Sequence, residues 1–122
     1  MFGSKAVFSV GFGIDEDRHG QPISLIRRWR ALRTIKRRAA SAFGGFTLHR
    51  GQGGWFNGKR RLVLESSCVL TVCVDCPDGN WRGVAHDDFA AFCQLVGQDL
   101  GQAAVVVYYP DGSADISETV YL

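Results

Sequence analysis

Residues 61–75 alternate in hydropathy more regularly than any other stretch of the chain. Leu62, Leu64, Ser66, Cys68, Leu70, Val72 and Val74 form one row, nearly all apolar; Val63, Glu65, Ser67, Val69, Thr71 and Cys73 form the other, which is mixed. A period of two places one row in a core and leaves the other open. The segment is long for a strand, so the adjacent serines Ser66 and Ser67 are expected to mark a bulge or bend. A strand of this kind needs helices against its apolar row and further strands along its edges.

The rest of the chain supplies them. Residues 5–14 alternate in the same way and predict a first strand. Pro22 is placed to open a helix over 23–43, since proline suits a first turn. Leu25, Trp29, Leu32, Ile35, Ala39 and Phe43 form a stripe at helical spacing there, and Gly44-Gly45 ends the run. Residues 46–50 read as a short strand. Residues 51–59 read as a glycine-rich hairpin turn, with Asn57-Gly58 its sharpest signal. A loop over 76–83 leads to a second helix over 84–101, with Asp87 and Asp88 favoured at its start by the helix dipole. Strands over 103–109 and 113–121 follow. This order predicts an α+β, ferredoxin-like βαββαβ sandwich: an antiparallel sheet, two helices on one face, and an extra C-terminal edge strand. At 122 residues it is one domain.

Charge is distributed unevenly. The net charge is +2, yet seven of the 14 basic residues fall between Arg27 and Arg38, whereas residues 76–122 carry seven acidic residues and one arginine. A phosphate-contacting or acidic-partner surface is expected at Arg27, Arg30, Arg33, Arg37 and Arg38. No aromatic residue is expected among them, because Trp29 falls in the apolar stripe. Trp55, near a hairpin tip, is a further candidate partner contact.

The open row of the 61–75 strand is the second candidate. Glu65, Ser67 and Thr71 would project from it beside Val63 and Val69, and a carboxylate in a half-apolar pocket can serve as a general base. The four cysteines, Cys68, Cys73, Cys76 and Cys93, contain one Cys-x-x-Cys pair but no second pair and no histidine pair, so they are read as reduced thiols without a metal. No nucleophile–histidine–carboxylate pattern, phosphate loop or cofactor motif is present, so no catalytic residue and no cofactor is assigned. No segment is long and apolar enough for a membrane span, and the first residues lack a secretory pattern, so a cytoplasmic location is expected.

Gly45, Thr47, Gly51, Gly53, Trp55, Glu65 and Ser67 give a Gly-x-Thr, Gly-x-Gly-x-Trp, Glu-x-Ser pattern. In this segment the chain resembles a small bacterial ferredoxin-like α/β family. The resemblance implies that fold and brings no activity with it. Together these readings predict a non-catalytic binding module that engages an acidic macromolecular partner, protein or nucleic acid, through the basic helix, and that can form a homodimer through its sheet face. The alternative is a small-molecule-binding or enzymatic dimeric α/β domain with Glu65 in a sheet-face pocket.

Overall fold

A computed structural model describes residues 4–122; the sequence reading of Met1–Gly3 lies outside them. The elements run β1 (Lys5–Gly13), α1 (Leu25–Phe43), β2 (Thr47–Phe56), β3 (Leu62–Asp75), α2 (Val84–Asp99), β4 (Ala104–Tyr108) and β5 (Ala114–Glu118). The strands form one antiparallel sheet in the order β2-β3-β1-β4-β5. The architecture is α+β and broadly ferredoxin-like, with β5 added at the β4 edge.

Side-chain alternation decides which face the helices cover. Ala6, Phe8, Val10 and Phe12 of β1, Cys68, Leu70, Val72 and Val74 of β3, and Val105 and Val107 of β4 are buried. They join Leu32, Ile35 and Ala39 of α1 and Phe89, Phe92, Cys93 and Val96 of α2 in one core. Phe8 lies at its centre, its ring centroid 4.9 Å from that of Phe89. Both helices therefore lie on one side, and the other side of the sheet is uncovered.

Several local expectations are corrected. The helix starts after Ser24, whose side chain accepts the Arg27 N–H at 3.2 Å; Pro22 instead bridges Glu16. A serine oxygen satisfies an otherwise unpaired donor of the first turn, which proline cannot do. Gly44 does end the helix, at φ 82°. There is no bulge at Ser66-Ser67, because the β3 register against both neighbours is unbroken.

The largest difference is in β2. Residues 51–56 are not turn but strand, paired in register with 62–67, and the reversal is confined to 57–61. β1 ends at Gly13 opposite Ser67. The paired segments 52–56 and 62–66 therefore extend past it as a two-stranded arm. Leu62 and Leu64, expected in the core, are more than half exposed because no helix reaches that far. Leu25 and Trp29 at the start of α1 overhang the core in the same way, at 76% and 60% exposure.

No helix is long and apolar enough to cross a membrane among the described residues. All four cysteines are free; Cys68, Cys76 and Cys93 are buried and Cys73 is exposed.

Candidate functional site

The uncovered sheet face carries the odd rows of β1, β2 and β3 and the even rows of β4 and β5. On β1 that row ends in Gly11 and Gly13, which leave a floor without side chains. A glycine inside a strand often marks a close approach by another group. Here a Cβ at Gly13 would lie 2.7 Å from Glu65 Oε1 and 3.3 Å from Gln102 Oε1, and one at Gly11 would lie 3.4 Å from Tyr108 Cε2. Glu65, Gln102 and Tyr108 thus lean over the two glycines from β3, from the loop after α2, and from β4. Val69 and Val106 flank them, the partners of Gly11 on either side. The resulting hollow has a volume of about 300 Å³ and includes Ser67, which is at the lower end of small-molecule sites.

Its two polar atoms nearest Gly13 are both acceptors. The Gln102 Nε2 donates to the carbonyls of Glu16 and Leu100 at 2.8 and 3.1 Å. That fixes the amide so that its oxygen faces Gly13 beside the Glu65 carboxylate. The Tyr121 hydroxyl donates to Gln102 O at 2.6 Å and to Gly97 O at 3.2 Å, holding the loop in place. Arg18 stacks on Tyr121 at 3.5 Å from the ring centroid. Two acceptor oxygens therefore converge over a glycine floor between apolar walls, an arrangement suited to a cation or to N–H donors.

Burial pushes the Glu65 carboxyl above its ordinary range, and the nearby charges of Asp15 and Glu16 act in the same direction. Asp15 is held in turn by the Ser66 N–H, which donates to its Oδ2 at 2.6 Å, and by Arg28 at 3.7 Å. A carboxylate with incomplete solvation can pair with a bound cation or accept a proton.

Of the sheet-face residues expected from the sequence, Glu65 and Ser67 come together here and Thr71 does not. Thr71 lies further along β3, its hydroxyl 2.7 Å from that of Ser9. Sequence reasoning missed Gln102, Tyr108, Gly11 and Gly13. The outward glycines of β1 were the available signal. On α1, Arg27 pairs with Asp17 at 3.7 Å and Arg38 with Asp99 at 2.6 Å. Arg30, Arg33 and Arg37 are exposed. Trp55, half exposed, stands on the arm opposite Val63.

The fold and hollow define an open-faced α+β sandwich with a candidate small-molecule site on its sheet. No protein-family model and no curated protein matches the chain. Two solved structures share its fold along nearly its whole length. A phage SAM lyase in complex with S-methyl-5′-thioadenosine has 14% identity and a TM-score of 0.64, covering 99% of this chain and 93% of that one. A phage SAM lyase in the apo state has 13% identity and a TM-score of 0.64, covering 100% and 96%. These neighbours are enzymes, which overturns the expected non-catalytic module acting through its basic helix and favours the sheet-face alternative.

Proposed function

We propose that this chain is a small enzyme whose substrate occupies the hollow over Gly11 and Gly13, with Glu65 as the principal polar group. The single observation that carries this reading is the convergence of the Glu65 carboxylate and the Gln102 amide oxygen on the glycine floor. The likeness to SAM lyase suggests a sulfonium substrate such as S-adenosylmethionine. Its cationic sulfur and ammonium group complement the two acceptors, and Val69, Val106 and Tyr108 offer apolar surface for the remainder. Lysis at the sulfonium breaks a C–S bond with both electrons leaving on sulfur as a neutral thioether. The electrons of the neighbouring C–H bond form a C=C bond in the other fragment, and the proton of that bond is released. Glu65 holds the cation before that step and is positioned to take a proton released from the other fragment. Self-association through the sheet face belongs to the same reading, because Val7, Trp55 and Ile116 are exposed there.

The test is incubation with S-adenosylmethionine and chromatographic detection of S-methyl-5′-thioadenosine. The wild type should form it, with a rate that rises with pH through a value above the usual glutamate range. Glu65→Gln should lose about 100-fold or more, the scale of a removed general base. Gly13→Ala has no backbone penalty, since its φ is not positive, yet crowds Glu65 and should lose about tenfold with the fold intact. An inactive wild type would remove the substrate assignment, and a fully active Glu65→Gln would remove the site.

A further inference from the structure

A second hollow lies on the helix side of the molecule, where α1 passes the outer strand β2. Its volume is about 450 Å³ and its walls include Leu25, Trp29, Arg33, Lys36, Arg37 and Arg50. From the geometry of this groove we infer that it binds a free nucleoside polyphosphate.

Three observations support the inference. The first is unpaired charge. The ion pairs of α1 use Arg27, Arg28 and Arg38. Among the described residues, Arg33, Lys36, Arg37 and Arg50 have no carboxylate within ion-pairing distance. Four cations from two elements converge where a helix alone would have presented three. The positive charges of Arg50 and Lys36 also act on the buried Cys68 thiol, opposing the upward push of burial on its pKa.

The second observation is an aromatic platform. Trp29 is 60% exposed, contrary to its expected place in the core, and the Arg33 guanidinium stands 5.3 Å from its ring centroid. A base stacked on the indole would carry its phosphates onto the adjacent guanidiniums.

The third is size and closure. Leu25 and Trp29 border the groove at the start of α1, and Trp29 and Arg37 stand about 12 Å apart along the helix at 1.5 Å per residue. That span suits one nucleotide with an extended phosphate tail. This site faces away from the Glu65 hollow, so its occupant and that of the sheet face are independent.

Adenosine triphosphate is the probe, with binding followed by calorimetry and by quenching of tryptophan fluorescence. Saturable binding below about 1 mM is expected. Trp29→Ala should weaken it about tenfold, the low end of what one stacked base contributes. Arg33→Ala with Arg50→Ala should weaken it at least as much, whereas Arg30→Ala, outside the groove, and Glu65→Gln should leave it unchanged. Circular dichroism of each variant establishes that the fold is retained. Tripolyphosphate binding as tightly as adenosine triphosphate, with no effect of Trp29→Ala, would show a non-specific anion patch and overturn the inference. So would a short oligothymidylate binding more than tenfold tighter, which would mark a polynucleotide surface. Absence of saturable binding would overturn it as well, and loss of binding in Glu65→Gln would place the nucleotide on the sheet face instead.

Discussion

Glu65 carries an energetic cost that can be read from its surroundings. Its ordinary value of 4.5 is raised chiefly by burial and further by Asp15 and Glu16. A carboxyl with a raised folded value binds protons more tightly in the native chain than in the unfolded one. Its contribution to stability is fully present below pH 4.5 and is lost as pH rises through the folded value. At neutral pH the ionised group is therefore a net burden. Glu65→Gln should remove it, raising stability at pH 7 by no more than about 0.5 kcal/mol, because the group is partly solvated. Urea unfolding at pH 4 and pH 7 checks the sign: the advantage of the variant should grow toward pH 7. The candidate role of Glu65 was legible from its outward position in an alternating strand. The supporting Gln102 and Gly13 were not, because a loop after α2 and the end of β1 meet only through the sheet pairing and the Tyr121 hydrogen bonds.

Among the elements, β1, β3 and the two helices follow from periodicity because burial on one face imposes it. The outer half of β2 does not. Gly51, Gly53 and Gly54 read locally as a turn, and what makes them strand is the continuous ladder from β3, a long-range term that outweighs their propensity. A second glycine has an equally non-local reason. Gly97 lies inside α2, where alanine would ordinarily gain about 1 kcal/mol. A Cβ there would come 3.0 Å from Thr119 Cγ2 and 3.2 Å from Thr119 Cβ, which belong to the segment leaving β5. Thr119 is held by its N–H donating to Ala103 O at 2.8 Å, and Gln94 binds Glu118 O and the Val120 N–H on either side. The obstructing atoms are therefore close to a fixed backbone. Gly97→Ala should destabilise by about 1–3 kcal/mol despite the better helix former. Denaturant unfolding measures this, and a stabilised variant would show that the C-terminal segment yields freely.

At the level of the whole molecule, one face of the sheet is sealed by helices and the other is open, and the arm extends beyond both. Phe56, Leu62 and Leu64 are each more than half exposed on the helix-side face of that arm, whereas Trp55, half exposed, continues the open face that carries Val7 and Ile116. Exposed apolar groups that adjoin one another in this way mark association surfaces in soluble proteins. The tip is basic through Lys59, Arg60 and Arg61, whereas the β5 edge carries Asp115 and Glu118. One copy's arm thus complements another copy's far edge in both polarity and charge. A contact between the two would join unlike surfaces and could close only as a ring. A sedimentation experiment should therefore find an oligomer, which Leu62→Asp combined with Leu64→Asp reduces to monomer. Because both leucines are already exposed, the monomer should keep its unfolding free energy to within about 1 kcal/mol once assembly is allowed for. A wild type that sediments as a monomer at high concentration would mean that the apolar surface of the arm stays exposed in the working protein and that the arm is not an assembly contact.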